Sequence, residues 1–409
     1  MKTARIITIG DELVRGEIVN SNAAFIAKEL ERYGIRVSAV FMLPDHYEES
    51  FSILERVFDE GEIFIFTGGL GGTQDDITRR IVSSLIRKKL VVDEQKELVL
   101  RDWYESRGRN FEEADRMQAA FPEGGRLLEN RVGLAYGFYI NCNGRLIFSL
   151  PGVPHEMKSM FLDEVIPILR NEGAFDPSFR TAVLTFIDLP EYILDRMIQG
   201  IVSRYPEVHY GTRASNGIVR VKFDSSSDSL LSCVREVEGQ IHEYCIGQGD
   251  RPIEEVVGNM LAERKLTLSA AESCTGGLLA KRITDVPGSS SYFLGSVVSY
   301  SNEAKERVLG VERNTLMVHG AVSEETAVEM AIRAKRTFAS DISLSITGIA
   351  GPGGGTEEKP VGRVYICLFA EGDKPVLTCN DFLGDREAIR IRSVNKALSM
   401  LFRYLREKK

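Results

Sequence analysis

Four times along the chain a short strand-like run gives way abruptly to glycines and small polar residues. Arg5-Ile6-Ile7-Thr8-Ile9 stops at Gly10-Asp11-Glu12, and Glu62-Ile63-Phe64-Ile65-Phe66 enters the loop Thr67 to Thr73. Leu266-Thr267-Leu268-Ser269-Ala270 leads to Glu272-Ser273-Cys274-Thr275-Gly276-Gly277, and Ile342 to Ile346 runs into Thr347 to Gly355. Helical periodicity lies between these runs. After Asn22, read as an N-cap, Phe25, Ile26, Leu30 and Tyr33 share one face, and Gly34 stands where a helix ends. Strand alternating with helix predicts an α/β fold with parallel sheets covered on both faces. Ligands in such folds gather at the C-terminal ends of strands, so these loops are where chemistry is expected.

A chain of 409 residues exceeds what one core organises. The α/β pattern closes after Leu150-Pro151-Gly152-Val153-Pro154 and its helix, giving a first domain over 1–170. Residues 171–251 read differently: strands at Thr181–Phe186 and Gly217–Phe223, helices at Glu191–Tyr205 and Asp228–Tyr244, and no glycine-rich phosphate loop. That texture predicts a small α+β connector. The α/β style returns over 252–409, from a helix at Ile253–Glu263 to a closing helix at Arg386–Leu405. The predicted architecture is two parallel-sheet α/β domains joined by a small α+β domain.

Lys plus Arg number 51 against 59 Asp plus Glu, a net charge of −8. This disfavours a broad footprint for nucleic acid or an anionic membrane, and no apolar run is long enough to span a bilayer. Six scattered cysteines without C-x-x-C spacing are neither a disulfide framework nor a zinc site. A reduced, cytoplasmic protein is expected.

In the third domain, Ser273 falls where a buried strand turns into a helix. Free N–H groups and the helix dipole converge there, which suits a phosphate or an oxyanion. Helix capping by Ser273 or Thr275 is the plainer reading of this segment alone. Lys305, one turn beyond Val298-Ser299-Tyr300-Ser301-Asn302, adds a group that becomes a general base for serine when burial lowers its pKa. The glycine loop around Thr347, Gly348 and Gly351 lets main-chain N–H groups approach a ligand closely. Cys274 is read as packing, because no histidine has an evident role in activating it.

Taken together, Ala271 to Gly277, Tyr300 to Lys305, His319-Gly320-Ala321-Val322-Ser323, Thr347 to Pro352, Glu357 to Gly362 and Gly384-Asp385-Arg386 resemble the C-terminal domain of the CinA family. The resemblance implies a Ser–Lys amidohydrolase that converts nicotinamide mononucleotide to nicotinate mononucleotide and ammonia without a cofactor. Ser273 falls at the family's nucleophile, Lys305 at its base, Tyr300 beside them and Arg386 at a phosphate ligand. Glu272, Thr275, Gly276, Gly277, Thr347, Gly348 and Gly351 are expected to line the substrate site. N–H groups of Thr275, Gly276 and Gly277 are candidates for holding the oxyanion. Lys305 has to lose roughly three pKa units, through burial or a nearby cation such as Arg386.

The first domain resembles the same family's molybdopterin-binding-like domain. The resemblance rests on Gly10 to Leu13, Gly16 to Asn22, Thr67 to Asp76 and Leu150 to Met157. Asp11, Glu12, Asn22, Gly68, Gly69, Gly71, Thr73, Asp76, Gly152 and Glu156 are its candidate nucleotide site. The resemblance implies ADP-ribose pyrophosphatase activity on a divalent metal held by Asp11, Asp75 and Asp76; N-capping is the competing role for each acid. This chain departs from the family with Gly72 in place of a common proline and Asn20 in place of a common aspartate. The middle segment resembles the family's KH-like connector but lacks the G-x-x-G loop that clamps a nucleic-acid backbone. Nucleotides, no nucleic acid, no membrane and a homodimer are the expected partners. The alternatives are a pterin- or nucleotide-binding protein without turnover, and an interaction protein of competence or DNA damage.

Overall fold

The first strand-like run forms β1 (Thr3–Ile9), buried at every position after the first, as befits a strand flanked on both edges and covered on both faces. In the computed structural model, which describes residues 2–58, 61–73 and 75–408, β1 pairs in parallel with β2 (Arg36–Leu43) and β3 (Ile63–Thr67). Gln74 of the glycine-loop motif lies outside the described residues. A separate antiparallel ribbon joins β4 (Leu90–Val92) to β5 (Ala120–Pro122). Then β6 (Arg126–Leu128), β7 (Gly137–Cys142) and β8 (Arg145–Leu150) complete a six-stranded sheet in the order β2-β1-β3-β8-β7-β6. β8 is parallel to β3, but β7 is antiparallel to β8 and β6 to β7. The two-residue turn Asn143-Gly144, with φ of 53° and 83°, closes that hairpin and fixes the reversal. The sheet expected to be parallel throughout therefore carries an antiparallel margin.

The following residues build two further sheets. β9 (Arg180–Ile187), β10 (His209–Ser215), β11 (Ile218–Ser225) and β12 (Cys245–Gln248) are ordered β10-β11-β9-β12. β13 (Leu268–Glu272), β14 (Phe293–Val298), β15 (Ile342–Gly348), β16 (Arg363–Ala370) and β17 (Val376–Asp381) are ordered β14-β13-β15-β16-β17. Here β13 is central and parallel to both neighbours, while β16 and β17 are antiparallel. The chain divides into two compact units, Met1–Arg180 and Thr181–Lys409. Within the second, Ile187, Ile218 and Ile246 of the four-stranded sheet share one apolar cluster with Ile253, Leu398 and Leu401. Among the described residues no helix is long and apolar enough to cross a membrane, and all six cysteines are free.

The expected cap at Asn22 is displaced by two residues. Asn20 caps the helix Ser21–Arg32 by accepting from Ala23 N at 3.0 Å, which frees Asn22 to turn inward. The helix expected from about Asp76 starts at Thr78. Its second residue, Arg79, is 3% exposed and supports the preceding glycine loop from below. The guanidinium donates to the carbonyls of Leu70 (2.7 Å), Ala120 (3.0 Å), Gln118 (3.0 Å) and Tyr136 (2.9 Å). Burial lowers its pKa to about 10, still well charged at neutral pH. Arg79→Ala strands four carbonyls at once and should lower the unfolding free energy by about 3 kcal/mol or more. A urea midpoint equal to that of the parent chain would show that the loop does not hang on this cation.

Candidate active sites

In the second unit, β13 runs two residues further than its apolar pattern suggested and carries Glu272 as its last residue, fully buried. Its carboxylate accepts from Gly277 N (3.0 Å), Leu279 N (3.0 Å), Ala280 N (2.9 Å) and the hydroxyls of Thr275 (2.8 Å) and Ser296 (3.3 Å). Glu272 thus caps the helix Leu278–Thr284 from inside the protein. The expectation that it binds substrate is corrected: every described bond goes to the fold. Gly276 and Gly277, with φ of 58° and 91°, form the left-handed corner that bends the chain over it.

Ser273 sits on that corner, 8% exposed. Lys305 is 1% exposed; its Nζ lies 2.9 Å from Ser273 Oγ and donates to Ser299 O at 2.8 Å. Burial lowers the Lys305 pKa to about 8, and the Cys274 thiol opposes the shift only as a secondary influence. Arg386, nominated as a contributor, is not among the causes. Cys274 is buried beside the dyad, and burial pushes its thiol up to about 12, so it stays protonated.

Two nominated oxyanion donors are engaged elsewhere. Gly276 N donates to Ser273 O at 3.0 Å and Gly277 N to Glu272, which leaves Thr275 N without an acceptor among the described residues. Tyr300 is exposed, and its hydroxyl accepts from Arg386 Nη2 at 2.8 Å; no contact joins it to the dyad among the described residues. Arg386 Nη1 donates to Gly351 O at 2.6 Å. Thr347 is buried and donates to Ala321 O at 2.6 Å, so its hydroxyl braces the sheet. Gly348 ends β15, where an added Cβ would meet Arg363 O at 2.6 Å.

Arg390 escaped the sequence reading. One turn after Arg386 on the helix Arg386–Glu407, it donates through Nε (3.2 Å) and Nη2 (2.6 Å) to Thr275 O. Neither arginine pairs with a carboxylate among the described residues. The i, i+4 spacing from Arg386 was the available signal.

In the first unit, a cavity of about 300 Å³ opens at the C-terminal ends of β1, β2 and β3. It takes in Glu12, Asn22, Asp45, Gly68, Gly69, Asp75 and Asp76. Asn22 donates to Thr67 Oγ1 (3.1 Å) and Gly152 O (2.8 Å), while its Oδ1 is buried without a donor. Both oxygens of Asp76 are engaged by the loop, from Gly71 N, Thr73 N and the Thr73 hydroxyl, each at 2.7 Å. Asp11 accepts from Asp45 N (3.1 Å) and pairs with Arg15 (2.7 Å). The structure does not bring Asp11, Asp75 and Asp76 together as metal ligands, and no such group of three occurs among the described residues. Asp76 is not a helix cap either: the helix Thr78–Ile86 has Ile77 at its N-cap with no side-chain bond, and Asp76 ties together the loop before it.

Asp45 was also missed, although it follows β2 directly, where a parallel strand delivers functional residues. Burial raises its pKa, reinforced by the charges of Asp11, Glu12 and Asp75 and opposed by the Asp11 N–H bond. Gly72 fits its loop because a Cβ would meet Gln118 Nε2 at 3.0 Å. Glu156 and Gly152 line a neighbouring cavity, where Glu156 accepts from Asn130 Nδ2 at 2.6 Å.

The buried lysine yields a stability prediction with a definite sign. Its folded pKa lies below the unfolded value, so between about pH 8 and 10.5 the unfolded chain binds the extra proton and stability rises with pH. Below pH 8 the full burial cost is present. Lys305→Met should therefore be more stable than the parent chain at pH 7, by roughly 2–3 kcal/mol, with the gap closing towards pH 10. Denaturant titrations at the two pH values check it; a destabilised variant at pH 7 would contradict the burial cost.

Residues 250–405 match the CinA C-terminal domain family, and residues 5–171 match the family described as "probable molybdopterin binding domain". The CinA-like protein of Thermotoga neapolitana is 37% identical over 100% of this chain and 99% of its own. That of Kosmotoga olearia is 37% identical over 98% of each. The crystal structure of competence/damage inducible protein CihA from Agrobacterium tumefaciens is 37% identical, covers 38% of this chain and 97% of its own, and superimposes with a TM-score of 0.36. With relatives of this identity aligned along essentially its whole length, the chain belongs to the CinA family.

Proposed function

We propose that the Thr181–Lys409 unit hydrolyses the carboxamide of nicotinamide mononucleotide, giving nicotinate mononucleotide and ammonia. The observation that carries this reading is the buried Lys305 amine 2.9 Å from Ser273 Oγ, with its pKa lowered to about 8. Serine is a weak nucleophile and an amide a poor electrophile, so a base and an oxyanion donor are both required. Neutral Lys305 takes the Ser273 proton as Oγ bonds to the carboxamide carbon, and Thr275 N–H meets the resulting oxyanion. The Lys305 ammonium then protonates the departing nitrogen, releasing ammonia and leaving a nicotinoyl ester on Ser273. Water, deprotonated by Lys305, attacks that ester; the returned proton restores Ser273, and nicotinate mononucleotide leaves. Arg386 and Arg390, both without carboxylate partners, are placed to receive the substrate's phosphate.

Ammonia release from nicotinamide mononucleotide should fall by about three orders of magnitude or more in Ser273→Ala and in Lys305→Ala. The double variant should be scarcely worse, because the pair acts as a unit. Cys274→Ala should keep most activity, and kcat/KM should rise through about pH 8 as Lys305 loses its proton. Turnover by Ser273→Ala alongside a dead Cys274→Ala would reverse the nucleophile.

For the first unit the geometry favours nucleotide binding over metal-dependent diphosphate hydrolysis. Held over the buried Arg79 cation, the loop keeps the N–H groups of Gly69 and Gly72 without acceptors among the described residues, while Gly71 N and Thr73 N tie Asp76 to the loop itself. ADP-ribose should bind with the same affinity, within about twofold, with and without magnesium, and Asp76→Ala should weaken it through loss of the loop. Calorimetry decides: magnesium-dependent cleavage to AMP would restore the pyrophosphatase reading.

A further inference from the structure

β13 is held in register by both neighbours, with Glu272 opposite Val298 of β14 and Ile346 of β15. The pairing continues past the strand ends, because Ser299 N donates to Glu272 O (2.8 Å) and Ser273 N to Ile346 O (2.9 Å). Ser299, Ser273 and Thr347 are therefore neighbours across the sheet, about 4.8 Å apart and on the same face. Three hydroxyls stand in this row. Thr347 donates to Ala321 O, and Ser273 accepts from Lys305 Nζ. Ser299 is fully buried, yet its Oγ meets no partner among the described residues.

Lys305 has the complementary deficit. A protonated lysine carries three N–H donors, and its described acceptors are two, Ser273 Oγ (2.9 Å) and Ser299 O (2.8 Å). At 1% exposure the amine depends on the chain for the third. Nζ already touches the carbonyl of Ser299, and the hydroxyl of that same residue swings about a single side-chain torsion. A buried hydroxyl left unmatched is a cost to folding, so its presence at this spot calls for a partner.

We infer that Ser299 Oγ is the third acceptor of the Lys305 ammonium, a positioning residue for the deamidation proposed above, on which this inference rests. As Ser273 Oγ bonds to the carboxamide carbon, its proton passes to Lys305 Nζ and the carbonyl electron pair moves onto oxygen. The ammonium gives one N–H to Ser299 O and one to Ser299 Oγ, which leaves the third for the departing nitrogen. When the C–N bond breaks, its electron pair stays on that nitrogen, which takes the third proton and leaves as ammonia. Lys305 is then neutral, and Ser299 has neither gained nor lost a proton.

The test is steady-state ammonia release from nicotinamide mononucleotide by the full chain. Ser299→Ala should lower kcat about tenfold or more while KM stays within about twofold, since a charged hydrogen bond is lost without touching substrate. Its urea midpoint should not fall, because the hydroxyl is unmatched in the resting fold. Ser299→Thr should restore kcat to within about threefold of the parent chain, whereas the isosteric Ser299→Val should resemble Ser299→Ala. Unchanged kcat in Ser299→Ala, a lowered urea midpoint or failure to fold, or equal losses in Ser299→Thr and Ser299→Val overturns the inference and leaves the deamidase reading in place. A parent chain that releases no ammonia overturns that reading, and this inference with it.

Discussion

A charge removed from water has to receive its hydrogen bonds from the chain, and both candidate sites are organised around that demand. Glu272 lies at the end of β13 with no solvent contact, and the first turn of the next helix closes around its oxygens. Ser273 follows it directly, so the path of the chain at Ser273 is set by where the carboxylate needs donors. Arg79 poses the opposite problem, five donors and no acceptor of its own. Four carbonyls from the glycine loop and its surroundings converge on it. In each case the satisfied charge pins the loop that carries the candidate site.

Lys305 is held differently. Its amine meets a serine hydroxyl and one carbonyl, and no carboxylate is provided. With so little to stabilise the ammonium form, burial shifts the balance towards the neutral amine, which is what proton abstraction from Ser273 requires. The same burial acts in reverse on Cys274, where the charged form is the deprotonated one and the thiol is kept inert. One apolar environment thus lowers the lysine's proton affinity and keeps the neighbouring thiol protonated, as the proposed serine chemistry needs. The cost to folding is concentrated in the residue that the chemistry needs.

Much of this was legible in the sequence, because parallel strands announce themselves as buried runs ending in glycine. The four loops at strand ends and the Ser273–Lys305 pairing are where the residues implied. What escaped has physical causes. Asn20 and Asn22 are equally good caps by type, and their choice depends on Thr67 and Gly152, which are distant in sequence. Glu272 reads as a substrate-site residue until the helix beyond it is seen to need a cap. β10 has no apolar face to betray it; its strand character comes from pairing with β11 across an Asn216-Gly217 turn. Arg390 and Asp45 act through place and not through a motif, one a helical turn from Arg386 and the other just past a strand.

The two candidate sites share a strand-end geometry but oppose each other electrostatically, and this bears on what each accommodates. Near Ser273 the guanidiniums of Arg386 and Arg390 meet no carboxylate among the described residues, a pattern that favours an anionic ligand over a cation. In the first unit Glu12, Asp45 and Asp75 line the cavity, where burial raises the Asp45 pKa and the neighbouring acids add to the shift, and Asn22 Oδ1 adds another unanswered acceptor. A phosphate is repelled by these acids. It is welcomed by the glycine-loop N–H groups, with the buried Arg79 charge behind them. A nucleotide there must lie with its phosphate on the loop and its hydroxyl or amino donors towards the acids. The orientation follows from the charge pattern alone, before any contact with a base is considered.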